Sequence, residues 1–169
     1  MSMKTVCVLG SPRAEGNRAF VAKHFCNAAE KLGAEVRTLA LNNLQYRGCQ
    51  GCWACKTKAD ACILKDDLSE VLEAVREADV LVMASPVYAG EVSSQLNGFI
   101  DRTFCYVVPD YLINQKKTRL APGQAVVLVL TQAHPDEEVF ADIFPRYEFF
   151  FKNYIGFDES YLTSGLRSA

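Results

Sequence analysis

The sequence predicts an α/β domain with a doubly wound parallel sheet and helices on both faces. Short apolar runs alternate with segments of helical periodicity, and small-residue or polar loops follow the strands at 10–18, 85–90 and 131–134. The run Val80-Leu81-Val82-Met83-Ala84 is apolar throughout, as expected of a central strand covered on both sides. In such sheets a ligand sits beyond the carboxyl ends of the strands, so the three loops are expected to converge on one edge. At 169 residues and 50% hydrophobic, the chain reads as one domain, 1–169.

The first strand, 5–9, runs into Gly10-Ser11-Pro12-Arg13-Ala14-Glu15-Gly16-Asn17-Arg18. A strand, a small-residue loop and a helix start suit an anionic phosphate. The helix N-terminus offers unsatisfied N–H groups and the positive end of its dipole. Ser11 and Asn17 add short donors, Arg13 and Arg18 add charge, and Gly16 lets the backbone bend tightly. Two familiar phosphate loops are excluded. A Walker loop has four residues between its glycines and then Lys-Ser/Thr, whereas five separate Gly10 from Gly16 and Asn17 follows. The fingerprint G-x-G-x-x-G is absent as well.

Residues 18–32 place Phe20, Val21, His24, Phe25, Ala28 and Leu32 at spacings near three and four, an amphipathic helix closed by Gly33. His24 and Cys26 read as helix packing. A second strand is expected over 35–41, then a cysteine-rich loop at 48–63. The helix over 67–78 has Asp66 or Asp67 as cap and Leu68, Val71, Leu72 and Val75 as its buried stripe. The central strand ends in Ser85-Pro86-Val87-Tyr88-Ala89-Gly90, and a helix follows over 93–106 with Leu96, Phe99, Ile100 and Phe104 inward. Residues 107–124 are irregular. A fourth strand over 125–130 ends in Thr131-Gln132-Ala133-His134. Pro135 with Asp136, Glu137 and Glu138 starts a helix that Pro145 is expected to kink. Residues 159–163 can form a fifth strand, and 164–169 are too few for a closing helix.

Lys+Arg 18 against Asp+Glu 20 gives a net charge of −2, which argues against nucleic acid or an anionic membrane as the main partner. No apolar run approaches the roughly 20 residues needed to span a bilayer. Met1-Ser2-Met3-Lys4 leads straight into a strand with no hydrophobic signal region, so a cytoplasmic location is expected. Seven cysteines is an odd count, and four crowd one short stretch, which reads as a reduced compartment with a local cysteine site.

Gly10-Ser11-Pro12-Arg13 with Gly16-Asn17, the cysteine loop, Ser85-Pro86-Val87-Tyr88 and Phe99-Ile100-Asp101-Arg102 resemble the flavodoxin-like NADPH-dependent FMN reductases. Within these the chain is most similar to the iron–sulfur flavoprotein branch. The resemblance covers residues 4 to 105 well and the remainder by pattern. It implies a flavodoxin-like five-stranded sheet of order 2-1-3-4-5 with FMN bound non-covalently. By position, Ser11, Arg13, Gly16, Asn17 and Arg18 would hold the phosphate. Arg18 replaces a small hydroxyl residue of the family and either bonds the phosphate or turns to solvent. Pro86, Val87, Tyr88, Ala89 and Gly90 would lie along the isoalloxazine, with Thr131, Gln132 and His134 as further contacts. Arginine suits a phosphate dianion and a tyrosine face suits a flat ring. Asp101-Arg102 is taken as a structural pair. No catalytic residue is named, because the flavin carries the redox chemistry.

Cys49, Cys52, Cys55 and Cys62 read C-x2-C-x2-C-x6-C. In the branch named above such spacing binds a 4Fe–4S cluster, and it gathers four thiolates at little loop-closure cost. Structural zinc and free or redox-active thiols remain open beside it. Lys56, Lys58 and Asp60 make the segment polar, and Cys7 and Cys105 read as packing residues.

The expected function is an FMN-dependent oxidoreductase. It would take electrons from NAD(P)H and pass them to a small molecule or to a protein, for example of ferredoxin type. A non-enzymatic electron carrier and a thiol-based sensor are the alternatives. Small flavodoxins are usually strongly acidic, and a net charge of −2 favours the enzyme. Residues 107–122 and the aromatics Tyr147, Phe149, Phe150, Phe151 and Tyr154 form either a subunit interface or a cover for the sheet. The resemblance implies a homodimer or homotetramer.

Overall fold

The computed structural model describes residues 2–12 and 17–166, with the side chains of 17–21 and 164–166 excepted. Five parallel strands, β1 (Lys4–Leu9), β2 (Glu35–Ala40), β3 (Val80–Tyr88), β5 (Ala125–Gln132) and β6 (Glu159–Leu166), lie in the order β2-β1-β3-β5-β6. A two-residue strand β4 (Glu91–Val92) folds back antiparallel onto β3. With that hairpin set aside, the order is the expected 2-1-3-4-5 of a flavodoxin-like fold.

Side-chain alternation along the three inner strands builds a core on each face. Val6, Val8, Leu81, Met83, Val126, Leu128 and Leu130 join one cluster. Cys7, Val82, Ala84, Val127 and Val129 join the other, against Ala22 and Cys26 of α1 (Asn17–Lys31). The first face is covered by α3 (Leu68–Arg76), α4 (Ser94–Thr103) and α5 (Ile143–Phe150); a single turn, α2 (Ala54–Thr57), lies within the cysteine loop. No described helix is long and apolar enough to cross a membrane. Gly33 closes α1 as expected. At φ 91° its N–H donates to Glu30 C=O, while the Ala34 N–H reaches back to Ala29.

Several boundaries differ from the sequence reading. β3 does not stop at Ala84 but continues through the expected loop to Tyr88, because Ser85 and Pro86 still pair with Leu130 and Thr131. Pairing with β3 carries β5 past Leu130 to Thr131, and pairing with β6 carries it to Gln132. Pro145 kinks nothing. The expected long helix is instead a 3-10 turn over Glu137–Phe140, capped by the Asp136 carboxylate, and then α5. Pro145 is the third residue of α5, where its missing N–H would have had no partner anyway. Asp67 stands at the start of α3 without a side-chain capping bond and instead accepts from the Gln45 N–H at 2.7 Å. Residues 164–166 belong to β6, and 167–169 lie outside the described residues.

Candidate functional site

The carboxyl ends of β1, β3 and β5 meet at one edge, as the alternation of strands and helices requires. Register places Leu9 beside Ala84, Ser85 beside Leu130 and Pro86 beside Thr131. The Gly10 N–H donates to Ala84 C=O at 2.8 Å, and the buried Ser93 hydroxyl donates to Gly10 C=O. Ser93 also caps α4 by accepting from the Leu96 N–H, and its own N–H donates to the buried Ser85 hydroxyl at 2.8 Å. The first loop, the end of β3 and the start of α4 are thus locked into one unit. Gly10 has no room for a side chain: an added Cβ would stand 2.7 Å from Leu96 Cβ and 2.9 Å from Ser93 Oγ.

Of the residues assigned to the phosphate loop, Ser11 is buried at the end of β1. Arg13 and Gly16 lie outside the described residues. Asn17 and Arg18 open α1, and their side chains are outside the description. Pro86, Val87 and Tyr88 are the last residues of β3, not of a loop. Ala89 and Gly90, at φ 51° and 77°, make a two-residue hairpin turn into β4 of the kind that needs positive φ at both positions. This leaves Tyr88 half exposed beside the edge. Glu91 anchors the hairpin by accepting from Tyr147 OH and Arg146 Nη1 on α5, each at 2.9 Å. Burial opposes its ionisation, but the Val92 N–H, Tyr147 and Arg146 hold its carboxyl below the usual range. Thr131 is buried in β5. His134 is exposed; it accepts from the Asp136 N–H at 3.1 Å and its ring meets Phe140 edge-on.

The cysteine loop lies at the other end of α4. Cys49, Cys52, Cys55 and Cys62 line one pocket of about 140 Å³, with Trp53, Ile63, Leu64, Asp101, Arg102, Phe104 and Cys105 among its walls. Two left-handed positions, Gly51 at φ 60° and Trp53 at φ 57°, coil the chain on either side of Cys52 and turn it into α2. The Trp53 ring, 57% exposed, stands edge-on to Phe104 at the rim. Among the described residues, no three His, Cys, Asp or Glu side chains are close enough together to hold a single metal ion.

Three basic side chains stand at this pocket: Arg102 lines it, and Lys56 and Arg119 lie behind Cys55 and Cys105. Arg102, with its side chain fully buried, pairs with Asp66 at 2.8 Å and donates to Arg47 C=O at 2.9 Å. It thereby ties both flanks of the loop to α4. Its expected partner Asp101 is not the one it takes; burial pushes the Asp101 carboxyl up. Burial also opposes ionisation of Asp66, but the bonds from Arg102 and the Arg47 N–H hold it below the usual carboxylate range. The Arg102 Nε is buried without a hydrogen-bond partner and Cys62 lies beside the guanidinium, an orphan donor of the kind a thiolate cluster would satisfy. Lys56, read as polar and solvated, is folded inward at 9% exposure. Burial draws its ammonium down, and Cys55 opposes this. Arg119 reaches in from the irregular segment to the Cys55 and Cys105 carbonyls. Cys105, read as packing, is buried and is also a fifth thiol on the wall; burial and the neighbouring Cys62 push it up to about 11. No spacing rule could have brought Arg119 to this pocket, because it comes from the irregular 107–124 segment.

A sequence model of the NADPH-dependent FMN reductases matches residues 3–137. An iron–sulfur flavoprotein of Methanocaldococcus jannaschii is 38% identical over 101 residues, which cover 60% of this chain and 52% of that protein. One from Methanosarcina thermophila is 34% identical over 101 residues, with the same two shares. The chain spans about half the length of the curated relatives it matches. Among solved structures, an NAD(P)H:quinone oxidoreductase from Methanothermobacter marburgensis aligns with a TM-score of 0.68 at 17% identity, covering 98% of this chain and 84% of that one. An FMN-dependent NADH-azoreductase from Bacillus anthracis, solved with FMN, aligns with a TM-score of 0.68 at 13% identity, covering 96% and 87%. At such identities the structural likeness establishes the fold.

Proposed function

The chain belongs to the NADPH-dependent FMN reductase family, and from that premise we propose a two-site oxidoreductase. It takes electrons from NAD(P)H or a reduced carrier and passes them through FMN, with a 4Fe–4S cluster in the cysteine pocket, to a small-molecule or ferredoxin-type acceptor. The observation that carries the cluster is the convergence of Cys49, Cys52, Cys55 and Cys62 on one pocket beside the orphan Arg102 Nε. The compact spacing C-x2-C-x2-C-x6-C, with all four thiols on one pocket, supports a cluster.

FMN supplies hydride acceptance when bound, and a 4Fe–4S group supplies one-electron transfer. The rest is positioning. Ser11 and the start of α1 offer donors for a phosphate, the Ser85–Ser93–Gly10 bonds fix the edge, and the hairpin sets Tyr88 beside it. Trp53, Ile63, Leu64 and Phe104 give the cysteine pocket an apolar wall. Assembly into a dimer or tetramer is part of the same reading, supported by Leu112 and Ile113, 77% and 87% exposed on one loop.

The test is an anaerobic absorption spectrum of freshly purified protein, with iron and zinc assays and NADPH oxidation on the same sample. Flavin bands, cluster absorbance, about four irons per chain and NADPH turnover are expected. Flavin without iron would reduce the reading to an FMN reductase with free thiols. Failure to bind FMN would sink it.

A further inference from the structure

We propose that the buried Lys56 and the half-buried Arg119 form a pair of cations serving as counter-charge for the cysteine pocket, so that they favour electron uptake by an anionic iron–sulfur group held there. This rests on the cluster reading above. The Lys56 Nζ donates to the carbonyls of Phe104 and Val107, each at 2.6 Å, and lies 4.1 Å from the centre of the Phe104 ring. Arg119 Nη1 donates to Cys105 C=O at 2.6 Å and to the same Val107 C=O at 2.8 Å, while Nη2 donates to Cys55 C=O at 2.9 Å. Two positive groups therefore share one carbonyl oxygen directly behind Cys55 and Cys105.

Ion pairing does not explain this arrangement. Among the described residues, the ion pairs include neither Lys56 nor Arg119, and the nearby Asp66 is taken by Arg102. Carbonyl dipoles and an aromatic face stabilise a cation, but adjacent buried like charges repel and lose hydration. An occupant bound by four thiolates is anionic, and each electron it accepts adds a negative charge. Neighbouring cations lower the cost of that charge and so raise the reduction potential.

The experiment is a dithionite titration of anaerobically purified protein, followed by absorbance, with iron assayed in every sample. It compares wild type, Lys56→Met, Lys56→Gln, Lys56→Arg and Lys58→Met, the last altering an exposed lysine two residues away. Lys56→Met should weaken electron uptake by the cluster at least tenfold, about 59 mV for one electron. Lys56→Gln, which keeps an N–H donor for the same carbonyls, should do the same. Lys56→Arg should stay near wild type, and Lys58→Met should not move the midpoint. An iron-loaded Lys56→Gln or Lys56→Met protein with the wild-type midpoint overturns the counter-charge role and leaves the cluster standing. An iron-free wild type overturns the cluster reading, and this inference with it.

Discussion

Arg102 shows how one side chain can hold a loop that makes almost no regular structure. Its guanidinium bonds Arg47 C=O on one side of the cysteine loop and the Asp66 carboxylate on the other. Removing one member of a buried pair leaves the other charge uncompensated, so Arg102→Met should cost about 3–5 kcal/mol in chemical denaturation. Asp66→Asn tests the same pair by pH. The native carboxyl titrates below its unfolded value, so its stabilisation is complete above about pH 4 and is lost as pH falls through the lower native value. Wild type should therefore lose denaturation midpoint steeply below pH 4, and Asp66→Asn should start lower and fall less. Parallel profiles would mean that the pair contributes little. The sequence reading correctly took Arg102 as structural. It could not name Asp66, because the two are brought together by α4 packing over the loop and by no local spacing.

At the scale of elements, β1, β3 and β5 were legible because each is a run of apolar residues covered on both faces. Their ends were less so. Pro86 reads as a strand terminator, yet here it stands in register with Thr131 and the strand goes on to a hairpin. Gly90 was legible as a turn residue, whereas Ala89 at positive φ carries no sequence signal. The junction of β1 with α4 is sensitive to a single methyl group. Gly10→Ala drives a Cβ into Leu96 and Ser93 Oγ, and overpacking of this kind costs about 1–3 kcal/mol. The strain falls on the Ser93–Gly10 bond that fixes the first loop, so FMN affinity, read by quenching of flavin fluorescence, should fall roughly tenfold. An unchanged affinity would separate that bond from flavin binding.

Across the whole molecule, the two sites occupy opposite ends of α4. Ser93 ties its N-terminus to the sheet edge proposed above for the flavin, and Asp101, Arg102 and the following Phe104 and Cys105 wall the cysteine pocket. The ten residues of α4 put about 15 Å between these ends. The motifs of both candidate sites were legible in the sequence but this distance was not, since the cysteine loop precedes α4 and only the fold sends it to the far end. Distant sites with no shared partners behave additively, whereas sites joined by a two-state element do not. Cys62→Ser should therefore deplete iron while leaving the FMN dissociation constant within about twofold, and Gly10→Ala should weaken FMN while leaving iron content intact. The double variant should show FMN affinity within about 0.3–0.5 kcal/mol of Gly10→Ala alone. A larger departure, measured by flavin titration of all four proteins under anaerobic conditions, would mean that α4 shifts as a body and carries occupancy of one site to the other.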